Sequence, residues 1–128
     1  CTTSNEPLVC EDEIHPGLFI AAVGADNPHK QEIHHEVMAS SKIVCDVIEQ
    51  CANMGDLRHA LGAGVMKREG VHAELGEVVA GRKPGRESAE EVIVFDSTGM
   101  ALQDVAAAAL VYERATSERV GAVLQLTA

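Results

Sequence analysis

The chain has 128 residues, of which 46% are apolar and 23% are charged, and its formal net charge at pH 7 is −10. This composition predicts one folded domain and excludes an intrinsically disordered chain. Because the ten basic residues are scattered and no apolar run approaches the ~20 residues of a membrane span, we expect neither nucleic acid nor a membrane as a partner.

Aromatic residues make up only 2% of the chain, so the core must be built from Val, Ile, Leu, Ala and Met. The four cysteines are irregularly spaced and form no C-x-x-C pair (Cys1, Cys10, Cys45, Cys51). A chain of this length with such a core does not need disulfides, so we expect reduced thiols and a cytoplasmic location.

The first half of the chain predicts a strand, a loop, a helix and a second strand. Residues 18–23 are a continuous apolar run after Pro16-Gly17, which indicates a strand buried on both faces. Residues 24–28 predict a loop, and apolar side chains at helical spacing predict a helix over about 30–40. A β-branched run predicts a second strand over 42–48.

The second half predicts short helical pieces over 49–70, a helix over 74–80 and a turn-rich loop over 81–86. A third strand is expected over 91–96, followed by the longest helix, over about 100–117. The apolar stripe of this helix is expected to face inward (Leu102, Val105, Ala109, Tyr112). Residues 121–127 alternate apolar and polar side chains and predict a last, half-buried strand. This order of elements is typical of an α/β fold with a mostly parallel sheet, and the change after Ser117 indicates that the last strand belongs to a different sheet.

The loop from Ala22 to Lys30 is the first candidate site, since open α/β sheets bind ligands at the carboxyl ends of their strands. Gly24 would let a ligand approach the backbone, and Asp26 could exchange a proton with a substrate amine or imine. Lys30 would begin the next helix, where the backbone amides favour an anion. The alternative is that Asp26 or Asn27 caps that helix and that Lys30 is solvated.

Residues 95–99 form the second candidate site. Ser97 and Thr98 lie at a strand-to-helix turn, where their hydroxyls could bind an amide or a phosphate, and the alternative is that they cap the helix. Thr2 and Thr3 could line a nucleotide cleft. The histidines at 29, 34 and 35 predict no metal site, since His34 and His35 are adjacent and point ~100° apart on a helix.

Four segments together resemble the ornithine cyclodeaminase/mu-crystallin family. They are AAVGADNPHK from Ala21 to Lys30 with Glu32 beyond it, Val44–Asp46, ELGEVVAG from Glu74 to Gly81, and VFDSTGMALQDVA from Val94 to Ala106. The resemblance runs from Thr2 to about Leu126, and His29 departs from it by replacing a usual glycine. It implies an NAD(P)-dependent dimer with a Rossmann domain and a separate dimerisation domain.

The resemblance also implies a role for each candidate residue. Asp26 would be the catalytic proton donor and acceptor at the substrate nitrogen, and Thr98 would face the substrate. The cofactor, NAD or NADP, would be bound along the following residues: Thr2, Thr3, Ala22, Val23, Gly24, Ala25, Lys30 and Ser97. No residue is assigned to a metal.

The family's glycine-rich fingerprint and its substrate-binding Arg and Lys have no counterpart in this sequence, which leads us to expect a piece of a longer protein. Residues 1–118 would be the carboxyl-terminal part of a Rossmann-type NAD(P)-binding domain, and residues 119–128 a terminal strand of the dimerisation domain. We expect the isolated chain to be inactive.

For the intact protein, the resemblance implies an amino-acid dehydrogenase or a cyclic imine reductase that acts on a small amino or imino acid as a homodimer. One alternative is an ornithine cyclodeaminase-type lyase that uses NAD without net redox change. The other is a non-catalytic ligand-binding remnant.

Overall fold

Four parallel strands form a single sheet in the computed structural model, which describes residues 1–124. The strands are β1 (Phe19–Ala22), β2 (Lys42–Cys45), β3 (Ala73–Glu74) and β4 (Ile93–Asp96). Their order across the sheet is β1-β4-β2-β3, and each of the three neighbouring pairs is parallel. The predicted α/β fold with a parallel sheet is therefore confirmed, and the two-residue strand β3 is an addition to it.

Five α-helices accompany the sheet in the described part of the chain. They are α1 (His35–Ser40), α2 (Ile48–Met54), α3 (Leu57–Gly62), α4 (Leu75–Val79) and α5 (Ala101–Glu118). Two 3-10 turns, Glu11–Glu13 and Arg68–Gly70, complete the regular structure. Helix α1 begins at His35 rather than near Lys30, because residues 31–34 run extended beside the amino-terminal segment, where Val9 pairs with Ile33.

The core lies between one face of the sheet and the three helices α1, α2 and α3. Side chains of β1, β2 and β4 contribute Ala22, Ile43, Cys45 and Val94 to it. The helices add Val37, Met38, Cys51, Ala52, Leu57 and Ala60, and two residues outside the helices and strands, Ile33 and Val71, complete the cluster. These residues are nearly all aliphatic or thiol side chains, as the low aromatic content requires.

The opposite face of the sheet is open over β1, so the prediction of a strand buried on both faces is wrong. Phe19 is 58% exposed and Ala21 is also exposed, whereas Ala22 points into the core. Beside Phe19 lies an apolar groove of about 450 Å³ that Val44 and Phe95 also line. The apolar run was read correctly as a strand, but β1 is an edge strand and no described element covers its second face.

The predictions for α5 need two corrections. Its apolar stripe does not face inward, because no residue of the helix is buried: Leu102 is 69% exposed, Val105 64% and Tyr112 73%, and Ala109 is exposed as well. Neither Ser97 nor Thr98 caps it, since the N-cap is Met100 and makes no side-chain bond.

The strand predicted over 121–127 is not found in its first part, since residues 121–124 are neither strand nor helix. Residues 125–127 lie outside the described part of the chain. Among the residues that the structure describes, no helix has the length and apolar character needed to cross a membrane.

Candidate functional site

The two candidate loops lie side by side at the carboxyl edge of the sheet. Strands β1 and β4 pair in register, with Ala22 opposite Asp96, so the loops that follow them begin at the same point. The Ser97 amide donates a hydrogen bond to the Ala22 carbonyl, at 2.9 Å, which joins the two loops directly. The first loop carries Asp26 and Lys30, and the second carries Ser97 and Thr98.

Asp26 and Lys30 form an ion pair, with 2.7 Å between Lys30 Nζ and Asp26 Oδ1. The Asp26 side chain is 56% exposed, whereas the Lys30 side chain is only 19% exposed and is thus not simply solvated. The hydrogen bond from Lys30 holds the pKa of Asp26 below its ordinary value, and the Asn27 amide adds to this. Since α1 begins only at His35 without a side-chain cap, neither Asp26 nor Asn27 is a helix cap.

The backbone of the first loop is held by Glu32, whose side chain is buried. Glu32 Oε2 accepts a hydrogen bond from the Gly24 amide, at 2.9 Å, and Oε1 accepts one from the Thr2 amide, at 2.5 Å. Burial alone would raise the pKa of Glu32, but the hydrogen bonds from Thr2 and Gly24 hold it below its ordinary value. A Cβ at Gly24 would overlap the Glu32 carboxylate, so close approach of this side chain explains the glycine without invoking a ligand.

The remaining residues assigned to the cofactor differ in what they expose. Ala22 and Ala25 are buried, whereas Val23 is 41% exposed. Thr2 and Thr3 are exposed next to the first loop, to which the Thr2 amide is tied through Glu32. A ligand at this edge would thus meet the Val23 side chain and the backbone of residues 22–25 rather than the alanine side chains.

The second loop is held by Asp46, a buried side chain directly after β2. Its Oδ2 accepts hydrogen bonds from the Ser97 hydroxyl, at 2.9 Å, and from the Gly99 amide, at 2.8 Å. The Thr98 hydroxyl oxygen accepts a hydrogen bond from the Gln50 amide group, at 2.7 Å. The Ser97 hydroxyl proton is therefore already engaged, whereas the Thr98 hydroxyl proton has no acceptor in the part of the chain that the structure describes.

Two further buried carboxylates lie beneath the loops. Asp96 Oδ2 accepts a hydrogen bond from the Leu57 amide, at 2.8 Å, and thereby caps α3 from another element. Asp56 Oδ1 accepts from the amides of Glu32, at 2.8 Å, and Ile33, at 3.0 Å. Burial raises the pKa of Asp96 to about 7, and burial also raises the pKa of Asp56.

Ligand atoms of Cys45, Cys51 and Asp96 lie within 4.8 Å of one another. Cys51 Sγ lies 3.1 Å from Asp46 Oδ1 and 3.3 Å from the Asp96 carbonyl oxygen, and these two acceptors share its single proton. The adjacent Cys45 thiol and burial raise the pKa of Cys51. The arrangement is therefore that of hydrogen-bonded core thiols.

Sequence reasoning assigned no role to five of these carboxylate and amide side chains: Glu32, Asp46, Gln50, Asp56 and Asp96. Glu32 and Asp46 stand inside the quoted motifs, so an acidic residue directly after a strand or loop was an available signal. Asp56 had no such signal, because its partners Glu32 and Ile33 lie 24 and 23 positions away in the chain.

The model of the ornithine cyclodeaminase/mu-crystallin family matches residues 1–119. The alanine dehydrogenase of Archaeoglobus fulgidus is 48% identical over 124 residues, which are 97% of this chain and 38% of that protein. The chain thus spans about 38% of the length of the curated relatives that it matches.

Two solved structures superpose on nearly the whole chain. A dimeric archaeal alanine dehydrogenase with bound NAD is 47% identical, with a TM-score of 0.88, and the match covers 98% of this chain and 39% of that one. The Delta(1)-pyrroline-2-carboxylate reductase of Thermococcus litoralis, in complex with NADH and L-proline, is 37% identical, with a TM-score of 0.89. That match covers 96% of this chain and 38% of the other.

Proposed function

Because this chain belongs to the ornithine cyclodeaminase/mu-crystallin family, we propose that it carries part of the active site of an NAD(P)-dependent oxidoreductase of small amino or imino acids. The observation that carries the proposal is the Asp26–Lys30 ion pair on a loop joined to the Ser97–Thr98 loop at the carboxyl edge of a parallel sheet. The relatives support it, since one is an alanine dehydrogenase and another a cyclic imine reductase.

The chemistry of the donor set fits the nicotinamide end of NAD or NADP. Because the Ser97 hydroxyl proton is donated to Asp46, Ser97 Oγ is left to accept a hydrogen bond, which a carboxamide NH₂ can donate. Val23 and the backbone of residues 22–25 offer an apolar wall, and Lys30 offers a cation. When bound, the cofactor supplies the hydride donor or acceptor.

Asp26 moves the proton at the substrate nitrogen. Lys30 lowers its pKa, so at neutral pH the carboxylate is ready to accept a proton from the ammonium group of an amino acid. In the reducing direction the Asp26 carboxylate takes up a proton from water and donates it to the imine nitrogen. The Thr98 hydroxyl, whose oxygen is occupied by Gln50, donates its proton to an acceptor such as the substrate carboxylate.

The domain organisation, assembly and location of the protein are part of the same proposal. Residues 1–118 belong to a Rossmann-type NAD(P)-binding domain and residues 119–128 to a dimerisation domain, and the end of α5 at Glu118 is consistent with this boundary. A homodimer follows the archaeal relative, which was solved as a dimer. A cytoplasmic location fits the four free cysteines.

The test uses the protein at the full length that its gene encodes. The change in reduced nicotinamide is followed with NADH or NADPH and Δ1-pyrroline-2-carboxylate, and in the reverse direction with NAD or NADP and L-alanine. Asp26→Asn should lower kcat by ~10²- to 10⁴-fold, whereas Asp12→Asn, at an exposed position, should leave it unchanged. Ammonia release from ornithine without net change in NADH would replace the proposal with a cyclodeaminase.

A further inference from the structure

Three buried carboxylates connect β4 to the loop that carries Asp26. Asp96 is the last residue of β4 and accepts hydrogen bonds from the amides of Leu57 and Asp56, at 2.8 and 3.4 Å. Asp56 accepts from the amides of Glu32 and Ile33, and Glu32 accepts from the Gly24 and Thr2 amides. We call Asp96, Asp56 and Glu32 the carboxylate ladder, because each side chain holds the backbone that carries the next.

The three side chains of the carboxylate ladder are buried, where hydrogen bonds contribute more to stability than they do at the surface. Asp56 and Asp96 are fully buried and Glu32 is 6% exposed. Hydrogen bonds from backbone amides to carboxylates in such surroundings are strong, and a buried amide left without its acceptor is costly. Burying a carboxylate in an apolar core costs free energy, and hydrogen bonds from nearby donors must offset that cost. The apolar core alone therefore does not explain why three carboxylates are buried here.

We propose that the carboxylate ladder positions Asp26 for proton transfer, by fixing the loop at Gly24 to the end of β4 through α3. The inference rests on the proposed function, because Asp26 is the group whose position matters. Glu32 holds the loop two residues before Asp26, and Asp56 holds the segment just after Lys30. The ion pair of Asp26 with Lys30 is thus anchored on both sides by the same three side chains.

The individual oxygens of the carboxylate ladder allow a matched pair of substitutions. Asp56 uses only Oδ1 for the amides of Glu32 and Ile33, and its buried Oδ2 has no partner among residues 1–124. Asp56→Asn can therefore keep both bonds with its remaining oxygen, whereas Asp56→Ala removes the acceptor. Glu32 uses both oxygens, so Glu32→Gln must set an NH₂ group against the amide of Thr2 or Gly24.

The experiment measures the full-length protein in two independent ways. Amide hydrogen exchange over residues 19–33 reports how firmly the loop is held, and it needs no activity. The pH dependence of kcat/KM reports the Asp26 carboxyl, which is faced by Lys30 and by the Asn27 amide. Asp12→Asn serves as the surface control.

The proposal expects faster exchange at Gly24 and its neighbours in Glu32→Gln and Asp56→Ala, with kcat lower by up to ~100-fold. In both variants the weaker Lys30–Asp26 pairing moves the acidic limb of the pH profile to higher pH. In Asp56→Asn, kcat and the exchange rate at Gly24 should both stay closer to the wild-type values than they do in Asp56→Ala. A residue with a purely structural role would lower the melting temperature without moving that limb.

The proposal is overturned if amide exchange over residues 19–33 is unchanged in Glu32→Gln. It is also overturned if kcat falls by the same factor in Asp56→Asn as in Asp56→Ala. If Asp56→Ala does not fold, the exchange and pH profile of Glu32→Gln decide alone. If the wild-type protein shows no oxidoreductase activity, the proposed function fails, while the exchange data still show whether the carboxylate ladder holds the loop.

Discussion

Asp96→Asn should change how the stability of the protein depends on pH. The side chain is fully buried at the end of β4, and burial raises its pKa to about 7 from the ordinary value of 3.8. The folded state therefore holds a proton on Asp96 over a range of pH in which the unfolded state has released it. Stability from this group is highest below pH 4 and is lost as the pH rises through 7.

The size of the effect follows from the distance between the two pKa values. They lie about 3 pH units apart, and each unit corresponds to about 1.4 kcal/mol, so ionised Asp96 costs the folded state about 4 kcal/mol relative to its protonated form. Asparagine carries no such proton. Between pH 5 and 7 the free energy of unfolding of the wild type should fall against that of Asp96→Asn by about 1.4 kcal/mol per pH unit.

The assay is urea unfolding of both proteins at half-unit steps of pH, with Asp12→Asn as a surface control. The quantity that tests the prediction is the slope, against pH, of the difference in free energy of unfolding between the wild type and Asp96→Asn. The absolute difference is not used, because the substitution also places an amide group near the Asp56 amide, which adds an offset that does not depend on pH. Parallel curves for wild type and Asp96→Asn would refute the reasoning. So would a difference that grows in favour of the wild type as the pH rises.

Three further outcomes are expected. Lys30→Met removes the hydrogen bond that lowers the pKa of Asp26, so the acidic limb of kcat/KM should move to higher pH, and an unmoved limb would contradict the pairing. Gly24→Ala should destabilise the protein, because the added Cβ would overlap the Glu32 carboxylate. Gly62→Ala on α3 is the matched control: its Cβ would meet nothing within 4 Å, so it should stabilise the protein by about 0.5–1 kcal/mol. Thermal melts of the two variants test this contrast. Asp46→Asn sets an amide group against the Ser97 hydroxyl or the Val47 amide, so the KM for NADH should rise, and Ser41→Ala gives the baseline.

The strands β1, β2 and β4 could be predicted from the sequence because continuous apolar and β-branched runs are a local signal. The runs that contain β1, β2 and β4 were found, although each strand is shorter than its run. Strand β3 has two residues, too few to leave a pattern. The burial of β1 and of α5 was mispredicted, since an apolar face does not tell which part of a protein covers it.

For the candidate site too, residues in local motifs could be predicted from the sequence, whereas residues that act through long-range contacts could not. Asp26, Lys30, Ser97 and Thr98 were predicted as site residues from short motifs, and the pairing of β1 with β4 brings their two loops together. The side chains that hold these loops were missed, because Glu32, Asp46 and Asp56 act on backbone amides that are remote in sequence. Hydrogen bonds of this kind depend on tertiary structure and carry no periodicity.

The position of β4 between β1 and β2 also governs the order in which the protein can assemble during synthesis. Strands β1 and β2 do not pair with each other, and only β4, made last of the four, joins them. Until residue 96 has been made, β1 has no partner among the described strands, and the two loops of the candidate site have no common edge. A nascent chain interrupted before Ile93 would therefore lack the strand that joins β1 to β2 in this sheet, and would leave the edge of β1 open to chaperones and proteases.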